Sequence, residues 1–104
     1  MTIYRRDELP QLTKQKLIDA KLPFTEMSIR TWKIRPTQNE LRPQTEERYL
    51  RILRNTYKPL IVDKDYVLID GHHRLDLLLK MKIQKARVLV VGASFHEILQ
   101  LFQK

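Results

Sequence analysis

The sequence predicts an α+β domain, a small mixed sheet with flanking helices. Three observations carry that expectation. Helical and strand-like apolar patterns alternate along the chain in the order helix, strand, helix, hairpin, helix, strand, helix. The run Arg87 to Val91 is continuously apolar after its first residue and rich in valine, as in strands buried inside a sheet. At 104 residues, 42% apolar and 31% charged, the chain has material for one modest core and no second. Residues 1–104 are therefore expected to form a single domain.

The first predicted helix runs from Asp7 to about Ala20, capped by Asp7, with Pro10 in its first turn and Leu9, Leu12, Leu17 and Ile18 as an imperfect stripe. Ser28 to Arg35 alternates loosely and reads as a strand that puts Trp32 and Ile34 on one side, ended by Pro36. A polar loop from Pro36 to Pro43 leads to Thr45-Glu46-Glu47, the cap and early acids of a second helix. Tyr49, Ile52 and Leu53 mark its inner face. Leu60-Ile61-Val62 and Tyr66 to Ile69, split by Asp63-Lys64-Asp65, read as a hairpin. Leu75, Leu78 and Leu79 repeat at helical spacing behind Gly71, and Ser94 caps a last helix carrying Ile98, Leu101 and Phe102.

Charge narrows the partners. Twenty Lys and Arg against twelve Asp and Glu give a net +8, which favours anions such as nucleotides, nucleic acid or an acidic surface. With no cysteine there is no disulfide, no thiolate nucleophile and no Cys-based zinc site. MTIYRRDELP lacks the apolar core of a signal peptide, and no apolar run is long enough to span a membrane, so a cytoplasmic protein is expected.

IDGHHRLDLLL is where chemistry concentrates. A strand that runs through Asp70-Gly71 directly into a helix leaves the first helical N–H groups unpaired at the strand end, which suits an anion. Gly71 permits the sharp turn and a close ligand; His72 and His73 can donate to phosphate oxygens or move a proton, and Arg74 can hold two oxygens together. Asp70 would cap the helix, hold a histidine tautomer or meet a magnesium ion that accompanies the phosphates. His72, His73 and Asp76 also have the spacing of a weak metal triad. The same residues serve equally well as an ordinary cap, turn and solvated arginine.

The segment IDGHHRLDLLLKMKI, with KPLIV before it and an Ile/Val-rich strand after it, resembles the ParB and sulfiredoxin-like superfamily, and WKIRPTQNELRPQT resembles the strand and loop that open that domain. The resemblance covers about Ser28 to Val91 and leaves 1–27 as a helical extension and 94–104 as a C-terminal helix. His72 stands where sulfiredoxins carry their reactive cysteine, which excludes that chemistry. Partition ParB proteins have Gly-Glu-Arg-Arg at the turn and bind cytidine triphosphate; Gly71 and Arg74 match, His72 and His73 do not. Asp70-Gly71-His72-His73-Arg74 is most similar to the phosphate motif of the free serine kinase branch. That branch places a carboxylate base two residues after the first loop's proline, where this chain has Gln38, with Glu40 two residues further on.

The resemblance thus implies a nucleoside di- or triphosphate with Mg2+, phosphates held by Gly71, His72, His73 and Arg74, loop contacts from Thr37 and Gln38, and His73, Glu40 and Asp70 as catalytic candidates, Asp70 also toward the metal. The expected function is nucleotide-phosphate binding with hydrolysis of the nucleotide or phosphoryl transfer. The alternative is a DNA-binding module or ParB-like nuclease working through a basic surface: Arg48, Arg51 and Arg54 along one side of the second helix, joined by Lys80 and Lys82.

Overall fold

The computed structural model describes residues 9–37, 46–54 and 58–102, apart from the side chains of Tyr49 and Leu53. Its elements are α1 (Lys14–Asp19), β1 (Phe24–Arg30), a single 3-10 turn (Thr31–Lys33), α2 (Glu46–Arg54), β2 (Leu60–Val62), β3 (Leu68–Asp70), α3 (His72–Lys80), β4 (Lys85–Val91) and α4 (Phe95–Leu101). The four strands form one sheet in the order β1-β4-β2-β3. β4 lies antiparallel to β1 and parallel to β2, and β2 is antiparallel to β3, so the sheet is mixed as expected.

Side-chain alternation divides the core into two layers. Leu60, Val62, Leu68, Ala86 and Val88 face α3, where Leu75 and Leu78 cover them. Ile61, Ile69, Leu89 and Val91 face the other way, toward Leu9 and Leu12, Leu17 of α1, and Phe95 and Ile98 of α4. β4 contributes to both layers because it is an interior strand, which is why Val88 to Val91 is a continuous apolar run.

The N-terminal helix is shorter than its leucine spacing predicts. Thr13, not Asp7, is the cap: its Oγ1 accepts the Lys16 N–H at 3.2 Å, and Leu9 and Leu12 are buried from an irregular segment ahead of the helix. Asp7 lies outside the described residues. The first strand is also displaced, starting at Phe24 within the span expected to be a helical extension and ending at Arg30. As an edge strand it buries little, so its polar sequence carries a weak signal. Beyond it, Thr31 turns the chain by bonding Gln84 and Ile83 carbonyls, at 2.9 Å from its N–H and 3.0 Å from its Oγ1. Trp32, expected to share a side with Ile34, is 64% exposed on this turn while Ile34 is buried.

Two helices end in the same way. The Leu22 N–H reaches back to Leu17 and Ile83 to Leu78, a Schellman closure in which Lys21 and Lys82 hold the left-handed position at φ 57° and 58°. Glycine is the usual occupant there, so the sequence hides both stops. At the other end, Ser94 and Glu97 form a capping box on α4, as the serine predicts.

One buried acid ties the hairpin to the last helix. Asp63, 2% exposed, accepts the N–H groups of Asp65 and Val67 on Oδ1, each at 2.8 Å, and that of Phe95 on Oδ2 at 3.0 Å. A carboxylate so placed closes the turn and satisfies a donor at the start of α4.

Candidate functional site

The glycine of the Asp70-Gly71 turn is required by geometry. Gly71 has φ 109°, and a Cβ there would lie 2.5 Å from Leu60 Cδ2 and 3.1 Å from Arg74 Nη2. The backbone can therefore pass close beneath both side chains only without a side chain of its own. Gly71 is also the N-cap of α3 and supplies no side-chain cap; Asp70 closes β3 and does not cap the helix.

Asp70 instead pairs with Arg74. Its Oδ2 lies 3.3 Å from Arg74 Nη2, while Nη1 donates to the carbonyls of Lys58 at 3.1 Å and Pro59 at 3.3 Å. Arg74 thereby staples the segment before β2 to the start of α3. Burial pushes the Asp70 carboxyl above its ordinary value, opposed by Arg74, Lys16 and the Gly71 N–H. Burial likewise lowers the Arg74 guanidinium, opposed by Asp70.

His72 faces a different task from the one its position in the motif suggests. Its Nε2 accepts the Thr37 N–H at 3.1 Å and lies 2.9 Å from Thr37 Oγ1, which is itself 3.0 Å from the Leu68 carbonyl. The ring is buried, and its pKa is lowered to about 4, mainly by burial and secondarily by His73. A neutral imidazole accepting at Nε2 carries its proton on Nδ1. His72 thus pins the loop after the 3-10 turn to the start of α3, and near neutral pH it is uncharged with its Nε2 occupied by Thr37.

Around this turn lies a cleft of about 760 Å³. Ile61, Ile69 and Leu89 of the sheet line it together with the segment Leu9 to Lys14, Arg51 and Ile52 of α2, and Lys58 beside the turn. Gly71, His72, His73 and Arg74 all border it, as does Asp70, the one carboxylate among its described lining residues. Lys14, Arg51, Lys58 and Arg74 thus bring four cations from four stretches of sequence to one cavity.

Several expected residues fall elsewhere. Arg51 leaves the arginine row to join the cleft, whereas Arg48 and Arg54 are exposed on α2 and do not border it. Lys80 pairs with Asp76 at 2.9 Å, and Lys82 is exposed at the helix stop. Gln38 and Glu40 lie outside the described residues. Among the described residues no group of three His, Asp or Glu side chains is arranged to hold a metal, which removes the His72-His73-Asp76 triad. Sequence reasoning missed the Leu9 to Lys14 wall, because it read those residues as helix, and Lys58, whose only signal was its place before the apolar run.

The fold is that of a ParB N-terminal domain. No protein-family model matches the sequence, nor does any curated protein. Among solved structures, the chain is similar to the C2221 form of a pNOB8-like ParB-N domain, with 23% identity and a TM-score of 0.60 over 79% of this chain and 38% of that one. A second structure of the pNOB8-like ParB N-domain gives 25% identity and a TM-score of 0.58 over 90% of this chain and 37% of that one. The chain therefore spans well under half the length of the proteins it matches. No helix among the described residues is long and apolar enough to cross a membrane.

Proposed function

We propose that the cleft binds the phosphates of a nucleoside di- or triphosphate. The observation that carries this reading is the convergence of Lys14, Arg51, Lys58 and Arg74 on a cavity bordered by the glycine turn at the start of α3. The positive end of α3 favours an anion there. A phosphate would compete with Asp70 for Arg74, and Arg51 would reach it from α2. The apolar floor of Ile61, Ile69 and Leu89 suits the less polar part of the ligand.

Magnesium fits this donor set only as a companion of the phosphates. Asp70 offers one carboxylate, and Mg2+ bound through a single carboxylate takes its remaining ligands from phosphate oxygens and water. The chemistry proposed for the cleft is attack by a water or alcohol oxygen on the terminal phosphorus, cleavage of the bridging P–O bond and release of the shorter nucleotide. His73, which borders the cleft, would take the proton lost by the attacking oxygen; His72 is committed to Thr37.

Isothermal calorimetry with ATP, ADP and CTP in the presence of magnesium tests binding, and a phosphorus NMR time course tests turnover. Arg51→Ala alters an exposed residue and should weaken nucleotide binding about ten-fold while leaving the fold intact. Absence of binding heat from the wild type, or equal affinity in the variant, would refute the reading.

A further inference from the structure

Trp32 lies away from the cleft. It is the single tryptophan of the chain and stands 64% exposed on the 3-10 turn after β1, with the Arg30 guanidinium 5.3 Å from the ring centroid. The turn is fixed to the end of α3 and the start of β4 by the Thr31 bonds to Ile83 and Gln84, and Arg30 pairs in register with Lys85. The indole is held in solvent on a turn anchored by the Thr31 N–H and by its hydroxyl, whose one proton faces the Ile83 and Gln84 carbonyls at 3.0 and 3.4 Å.

The charge along the two segments that hold it is of one sign. Residues 27–37 and 77–91, which the Thr31 bonds bring side by side, contain Arg30, Lys33, Arg35, Lys80, Lys82, Lys85 and Arg87 and no Asp or Glu. The acids nearest in sequence are Glu26, which pairs with Arg87, and Asp76, which pairs with Lys80. Arg30, Lys33, Arg35, Lys82 and Lys85 are exposed. Protein interfaces are depleted in lysine, whereas an aromatic platform among exposed cations is how unpaired bases are stacked and their phosphates followed.

We propose that Trp32 is a stacking platform for single-stranded nucleic acid, with Arg30, Lys33, Lys82 and Lys85 along the sugar-phosphate backbone. The site is separate from the cleft, whose lining contains none of these residues. It differs also from the arginine row of α2, since its specificity is for exposed bases and not for a duplex groove.

The indole is its own reporter. Titrating the full chain with the oligonucleotide dT12 at low salt should quench tryptophan fluorescence, with affinity falling steeply as salt rises. Trp32→Ala should weaken binding measured by fluorescence anisotropy of labelled dT12 by ten-fold or more, and Trp32→Phe should recover most of the loss because it keeps an aromatic face. Lys85→Glu should weaken binding independently, and saturating ATP with magnesium at matched ionic strength should not displace the strand. Binding that leaves Trp32 unquenched and the Trp32→Ala affinity unchanged, equal affinity for a twelve-base-pair duplex, displacement by the nucleotide, or no binding at all would each overturn the proposal.

Discussion

Thr37 gives its backbone N–H to His72 Nε2 across 3.1 Å and sets its Oγ1 2.9 Å from the same nitrogen, which joins the loop after the 3-10 turn to the first residue of α3. Because burial keeps His72 neutral down to about pH 4, while an unfolded histidine protonates near 6.5, the unfolded chain takes up the extra proton first. Stability is therefore full above about pH 6.5 and declines as pH falls toward 4, by roughly 3 kcal/mol if the whole difference is realised. Urea unfolding at pH 7 and pH 5 should show about 2 kcal/mol of this loss in the wild type. His72→Gln, which cannot protonate, should lose less across the same interval; an equal slope would assign the pH dependence to other groups.

Gly71→Ala places a methyl group against Leu60 and Arg74 at a φ that alanine avoids. Strain and overpacking together should cost about 2–4 kcal/mol, read as a lower urea midpoint with unchanged m-value. A loss below about 0.5 kcal/mol would mean that the turn relaxes and that its shape is not fixed by packing.

Lys21 and Lys82 hold left-handed positions that glycine occupies without steric cost. Lys21→Gly and Lys82→Gly are each expected to stabilise the fold by up to about 1 kcal/mol, and the two should add because they terminate different helices. Thermal or urea midpoints of the single and double variants check both statements. Destabilisation would show that the lysine side chains contribute more than their backbones cost.

Asp63→Ala removes three acceptor contacts at once and leaves the N–H groups of Val67 and Phe95 without their partner. The expected loss is about 3–5 kcal/mol, enough to unfold a domain of marginal stability. Asp63→Asn keeps one carbonyl acceptor and should fall between. Circular dichroism and urea unfolding separate the three proteins.

The interior of this fold was legible because interior strands have little choice of residue. Leu60-Ile61-Val62 and Val88 to Val91 must be apolar on both faces, and Gly71 must be glycine, so β2, β4 and the turn stand out. β1 did not, since an edge strand with one buried residue leaves Thr25, Glu26 and Ser28 free to be polar. The leucines at 9, 12 and 17 imitate a helix although the first two are buried from irregular chain, and two lysines conceal helix stops. At the site, Gly71 and Arg74 could be named from their motif. The attachment of His72 to Thr37, the arrival of Arg51 at the cleft and the exposure of Trp32 could not, because each depends on residues distant in sequence.

β4 is the last strand of the chain and yet occupies the sheet between β1 and β2. On a ribosome, β1 emerges some sixty residues before the strand it must pair with, since its register runs Phe24 to Val91 and Arg30 to Lys85. The hairpin of β2 and β3 can close early; the edge strand has to wait, with its amides open to other chains, until β4 arrives. Its polar residues Thr25, Glu26, Ser28 and Arg30, set among Phe24, Met27 and Ile29, are then a protection during synthesis as much as a sign of shallow burial in the finished sheet.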